Sequence, residues 1–253
     1  MALLALEFPP VSHLIEWPTI FGSDPFAVNK VVLLTFLAAI IVFALFATAA
    51  SRGSLVPTGV QNFAETVVEF VQDGIIMQTM GPDGLKYTPF LLTMFSFIFV
   101  SNIFEVIPVI QMPVTARMAV PAMLAVLVWI IFNYLGLKHQ GFFGYFKSML
   151  FPPGVPKALY ILVTPIELVS TLLVRPLSLA VRLFANLLAG HLLLVSFAVI
   201  ATALFKSTVV GAALPGALLV ALTGFEVLVA VLQAFIFTIL AAVYMGGAMH
   251  PEH

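Results

Sequence analysis

The chain has 253 residues, of which 62% are hydrophobic and only 8% charged, with a mean hydropathy of +1.17. A soluble domain carries about 25% charged residues, so this composition cannot cover a water-soluble globule and requires an integral membrane protein. A net charge of -1 excludes the clustered basic face that nucleic acid needs, and zero cysteines exclude disulfides and thiolate metal sites.

The first 28 residues contain no Lys or Arg, so no basic region precedes an apolar core as in a cleavable signal. The first membrane helix is expected to direct insertion. It is a 20-residue apolar run at positions 31–50, flanked by Lys30 and Arg52, and about 20 residues at 1.5 Å rise cross a ~30 Å hydrocarbon core. The segment 57–80 differs. Gln61, Asn62, Glu65, Glu69, Gln72 and Asp73 alternate at helical spacing with Val60, Phe63, Val67, Val68, Val71 and Ile75, predicting an amphipathic helix on the membrane or against partner helices.

Gly81-Pro82-Asp83-Gly84 predicts a turn. Residues 90–107 then span, with Ser101, Asn102 and Glu105 interrupting the second half. After Pro108 and Pro113 a second apolar run, 118–137, closes at Lys138 and His139, so 86–138 reads as a helical hairpin. A polar loop over 139–157 follows, with Lys147, Lys157 and a Pro152-Pro153-Gly154 turn. Together with Arg52 and Lys86 this loop puts basic residues on one side, predicting a cytoplasmic 139–157 loop and an outside N-terminus over 1–28. Arg117 and Lys206 on the other side weaken the bias without reversing it.

Residues 165–205 carry no strong turn signal, and 41 helical residues measure about 60 Å, twice the bilayer core. Either Pro176 or Gly190 breaks this stretch into a hairpin, or one long helix lies steeply tilted. Residues 215–249 repeat the problem at 35 residues and about 50 Å. Two consecutive overlong helices in the 158–249 segment point to one cause, such as wrapping a curved neighbour. No internal repeat supports an inverted-repeat transporter.

These last two segments hold the unusual residues: Glu167, Arg175, Arg182, Asn186 and His191 in the first, Glu226 and Gln233 in the second. An ionisable group at membrane depth is functional by default, because an arginine at a helix centre costs about 2.5–3.5 kcal/mol to insert. At about 100° per residue, Ser178, Arg182 and Asn186 share a face with Arg175 nearly in line, while His191 lies about 180° round. Glu226, Gln233 and Tyr244 form one polar stripe on the second helix. A carboxylate and an imidazole can pass a proton through water near neutral pH, whereas arginine stays charged. Arginine is then a barrier to a direct leak and an attractor for an arriving carboxylate.

Structural alternatives stand beside these roles. Arg175 before Pro176 could snorkel to the interface, and Glu167 could stabilise a helix dipole in a first turn. His191 could be a packing histidine and Glu105 a buried structural acid near Asn102; Arg182 could mark an interfacial turn. A self-contained secondary transporter and a structural scaffold remain alternative classes. No Walker A sequence, dinucleotide fingerprint, His-Glu-x-x-His or Gly-x-Ser-x-Gly is present, so nothing predicts a nucleotide site, a catalytic centre, a metal or a cofactor.

The run Pro176-Leu-Ser-Leu-Ala-Val-Arg182-Leu-Phe-Ala-Asn186-Leu-Leu-Ala-Gly190-His191 resembles the signature of the F-type ATP synthase a subunits. Pro165-Ile166-Glu167, Ser101-Asn102-Ile103 with Ile107-Pro108, and Gln233-Ala234-Phe235-Ile236-Phe237 extend the likeness across residues 90–249. The resemblance implies an all-α membrane fold: one N-terminal transmembrane helix, an interfacial helix, a hairpin and two long tilted helices facing a ring of c subunits. It implies that Arg182 is the essential arginine opposite the ring's carboxylates and that Asn186 lines the same surface. His191, Glu226 and Gln233 match half-channel positions, and Glu167 a position near the cytoplasmic exit. Some members carry an acid where His191 stands and a histidine where Glu226 stands; the swap keeps one acid and one imidazole between the helices. Arg117 departs from the family pattern, and no role carries over to it. The family's proton-transporting members imply one copy in a hetero-oligomer with b-type stalk subunits, in a bacterial inner membrane, with mitochondrial or plastid membranes left open.

Overall fold

The computed structural model describes residues 20, 22, 28–108, 110–151, 156, 159–207 and 209–249, with the side chains of 52, 206, 207, 209 and 210 outside the description. The expectations for most of the 1–28 tail, for the Pro152-Pro153-Gly154 turn, for Lys157 and for the Arg52 and Lys206 side chains lie outside these residues. The described regular structure is helical throughout, and five helices are long and apolar enough to cross a membrane. In lipid each backbone N–H and C=O must be satisfied within the chain, which helices achieve segment by segment.

Helix α1 (Lys30–Arg52) starts where the Asn29 side chain accepts a hydrogen bond from Val32 N–H at 3.1 Å, an N-cap. It stops at Gly53, whose φ of 43° is left-handed and suits a residue without a Cβ. Ser54 and Gln61 then clasp the turn, with Gln61 Nε2 donating to the Ser54 carbonyl at 2.9 Å. The amphipathic segment is α2 (Val60–Val71), a π turn (Gln72–Ile76) and α3 (Met77–Thr79). Ala64, Val71, Ile75 and Ile76 are buried on it while Glu65, Glu69 and Asp73 are exposed. Gly81, at φ 64°, ends the segment, and a 3-10 turn (Pro82–Tyr87) leads into α4 (Thr88–Ile103).

After a short 3-10 turn (Val114–Ala116), α5 (Ala119–Leu150) runs well beyond its expected end at Lys138. The stretch expected to be a loop over 139–157 is helical as far as Leu150. The break is a kink at Gly141, whose φ of 73° only glycine adopts freely. Beyond it the chain folds back, so that Tyr145 covers Gly136 and its hydroxyl donates to Asn133 Oδ1 at 2.8 Å. Ser148 donates to Gln140 Oε1 at 2.6 Å, and Gln140 Nε2 donates to the Ala248 carbonyl at 2.7 Å, tying the last turn of the final helix to the kink.

Helix α6 (Tyr160–Val169), a π turn (Ser170–Val174) and α7 (Arg175–Ser207) form one continuous path, and α8 (Val209–Met249) follows. Neither Pro176 nor Gly190 breaks it into a hairpin. Proline has no N–H to donate and crowds the carbonyl four residues back. The wide turn just before Pro176, in which Arg175 N–H reaches the Ser170 carbonyl five residues back, opens that crowded place and lets the helix continue. Because α6 begins at Tyr160, Glu167 is not in a first turn, and the dipole role considered for it does not apply.

The chain divides into two compact units. One comprises the chain up to Ala44 with Phe97–Arg117 and Phe184–Gln233, the other Leu45–Ser96, Met118–Leu183 and the residues from Ala234 onward. Placing a Cβ on Gly136 would drive it into the Tyr145 ring. Gly136→Ala is therefore expected to destabilise the fold-back by about 1–3 kcal/mol, the usual range for overpacking, and to speed tryptic cleavage at Lys147 in native membranes.

Candidate functional site

Helix α7 sorts its residues as its period requires. Leu179, Leu183, Leu187 and His191 recur every four residues and are buried, the first three at 1%, 0% and 1% exposure and His191 at 8%. Arg182 and Asn186 are exposed, together with Val181, Ala185 and Ala189. The expected opposition of arginine and histidine on one helix is thus present. Among the described residues Arg182 makes no hydrogen bond and no ion pair.

In the first unit six of the expected polar residues come together. His191 Nδ1 lies 3.5 Å from Glu105 Oε1, within ion-pair range but without hydrogen-bond geometry, so that oxygen has no hydrogen-bond partner. Glu105, 4% exposed, follows the last turn of α4, where its N–H donates to the Asn102 carbonyl at 3.1 Å. Glu226, also 4% exposed, lies against Gly190: a Cβ there would collide with both carboxylate oxygens. The imidazole therefore stands in the field of two carboxylates. Asn186 Nδ2 donates to Gln233 Oε1 at 2.9 Å, joining α7 to the buried face of α8 that also carries Glu226, Ala230 and Ala234. Four buried polar atoms here, Ser101 Oγ, Asn102 Nδ2, Glu105 Oε1 and Glu226 Oε2, have no hydrogen-bond partner among the described residues, and such positions are ones that ordered water can satisfy.

The second unit holds a separate group. Eight residues in an ideal helix leave Glu167 and Arg175 about 80° apart, but the π turn between them inserts one residue's rotation and brings them to one face. Their side chains, each 36% exposed, approach to 3.8 Å. The Arg175 guanidinium also sits 5.6 Å from the centre of the Tyr244 ring, a cation–π distance. Beside it is a cavity of about 490 Å³ lined by Ser170, Arg175, Ser178, Tyr244, Val174, Val243 and Gly247. Tyr244 thereby meets Arg175 and Ser178 at this cavity. No cluster of three or more His, Cys, Asp or Glu side chains suited to a metal occurs among the described residues.

The sequence matches the ATP synthase A chain family over residues 32–246. The chain belongs to that family. It is 47% identical over 238 residues to the ATP synthase subunit a of Frankia alni, covering 92% of this chain and 81% of that protein. Likewise it is 44% identical over 230 residues to the Parafrankia sp. subunit, covering 90% and 78%, and 39% identical over 259 residues to that of Rhodococcus erythropolis, covering 97% and 89%. Family membership makes the chain a multi-pass membrane subunit of an ATP synthase complex, with the role of a proton-translocating membrane-sector subunit.

Three contributors were not singled out from sequence. Gly190 was read only as a possible helix breaker, yet its missing Cβ makes room for Glu226. The π turn at Ser170–Val174 and the Thr115 side chain, which donates to Asn102 at 2.7 Å, gave no signal in residue type alone. Gly190→Ala is expected to displace the Glu226 carboxylate and cut ATP-driven proton pumping by about tenfold, equivalent to about 1.4 kcal/mol, with the amount of chain in the membrane unchanged by immunoblot.

Proposed function

We propose that this subunit carries protons in two half-steps separated by a fixed positive charge, and that a ring of c subunits completes the route. The observation that carries this reading is Arg182, exposed on an apolar helix and without a counter-charge from the described residues of its own chain. A guanidinium in that setting costs about 2.5–3.5 kcal/mol to place. A carboxylate on a neighbouring subunit would offset that cost each time it arrives deprotonated. The exposed Ala185 and Ala189, with Ser178 on the same side, let another helix approach closely, as small residues do in membranes.

On this reading Asn102, Glu105, His191, Glu226 and Gln233 line the path open to the outer face. Their buried, unpartnered polar atoms are the places where water would stand, and an acid and an imidazole are groups that exchange protons near neutral pH. Asn186, held by Gln233, links that path to the face carrying Arg182. Arg175, Ser178 and Tyr244, around their cavity, and Glu167, paired with Arg175, line the path to the cytoplasm. Arginine does not titrate in the working range, so it blocks a direct leak between the paths and forces each proton onto the ring. Moving one charge through the membrane potential is worth about 2.3 kcal/mol per 100 mV, the quantity that ring rotation would convey to ATP synthesis elsewhere in the complex. The setting is a bacterial inner membrane with the N-terminus outside, one copy per complex, and b-type stalk subunits as further partners.

Arg182→Ala should abolish ATP-driven proton pumping in membrane vesicles while the complex still assembles; wild-type pumping by that variant would overturn the reading. Cysteines placed singly at Ser178, Val181 and Ala185 should crosslink to a small ring-forming subunit, whereas a cysteine at the buried Leu183 should not.

A further inference from the structure

Thr115 lies in the 3-10 turn within the α4–α5 connection, and none of it is exposed (0%). A buried hydroxyl must find a partner, and this one donates to Asn102 Oδ1 at 2.7 Å, the usual length for an O–H···O bond. Asn102 is itself 1% exposed, and its other amide atom, Nδ2, has no hydrogen-bond partner among the described residues. An amide can be turned either way round, so the neighbouring donor decides which end faces where. With the amide reversed, the Thr115 hydroxyl proton would have no acceptor among the described residues. Thr115 therefore fixes the orientation that leaves an NH₂ group, a donor, unpaired one turn before Glu105. Pro113, whose carbonyl accepts the Ala116 N–H at 3.2 Å, closes the turn that holds Thr115 in place.

We propose that Thr115 is a positioning residue for proton transfer: it holds the Asn102 amide so that the free NH₂ donates to a water beside Glu105. A donor at that point stabilises negative charge on the water's oxygen or on the nearby carboxylate as a proton moves on toward His191. The reversed amide would present a carbonyl instead, and the water would have to turn its own proton toward it, away from the acid. Two residues that do not titrate thus set the polarity of a chain whose proton-carrying members are Glu105 and His191. This rests on the reading of Asn102 and Glu105 as part of the outer path.

The test uses membrane vesicles holding the full complex, with ATP-driven acidification followed by a pH-sensitive dye and complex abundance by immunoblot. Thr115→Val keeps the shape and removes the hydroxyl, and it should slow pumping by about fivefold or more, the factor expected for one buried hydrogen bond. Thr115→Ser restores the hydroxyl and should recover most of the rate. Asn102→Leu should slow pumping as well, and adding Thr115→Val to it should slow it no further, because the two act through one contact. Equal impairment by Ser and Val at unchanged abundance, or additive losses in the double variant, would mean that Thr115 acts only through packing and would overturn the proposal. A normal rate for Thr115→Val alongside an impaired Asn102→Leu would overturn the positioning role alone. A normal rate for both Asn102→Leu and Glu105→Gln would overturn the outer path itself, and the proposal with it.

Discussion

The proposed function turns on the placement of a permanent cation in a medium that does not solvate it. Arg182 stands on the outward face of α7 with no ion pair or hydrogen bond among the described residues, while the same helix buries His191 on its other side. A protein could hide such a charge by pairing it internally, as Arg175 is paired with Glu167 at 3.8 Å. Here the pairing is absent where the membrane makes it most valuable. These two arginines, seven residues apart, differ in that one has its counter-charge within the chain and the other has none among the described residues.

The two polar groups are built by different means. In the first unit the means are close approach and missing atoms: Gly190 yields its Cβ volume to the Glu226 carboxylate, and Ala230 keeps the buried face of α8 slim beside Gln233. In the second it is a change of helical pitch. The π turn at Ser170–Val174 accommodates Pro176 and turns Glu167 into line with Arg175, so that one irregularity serves both the continuity of the helix and the making of an ion pair. A second π turn, Gln72–Ile76, occurs in the amphipathic segment, where Ile75 and Ile76 are both fully buried; adjacent residues sharing a buried side is what an inserted residue allows.

Unpaired polar atoms in the first unit have a direct physical meaning. Leaving a buried donor or acceptor empty costs about 1–3 kcal/mol, and among the described residues of this unit four such atoms occur, on Ser101, Asn102, Glu105 and Glu226. Apolar side chains at these places would remove that cost and fill the space. Retaining polar groups there fits the proposed outer path, in which water would enter and an acid and an imidazole would exchange protons with it.

The sequence by itself determined the membrane class, the helical fold, and the opposite faces of Arg182 and His191, because charge content and a 3.6-residue period act locally and survive any packing. It also carried the family likeness in a continuous run from Pro176 to His191. Tertiary structure decided the rest. Whether Pro176 ended a helix depended on a wide turn that no residue type announces, and the loop expected after Lys138 became helix because Gly141 could kink and Tyr145 could cover Gly136. Tyr244 met Arg175, Glu105 met His191 across 86 positions of sequence, and Thr115 found Asn102. Each of these is a contact between residues distant along the chain or a departure from the ideal period, and a pattern read along one helix contains neither.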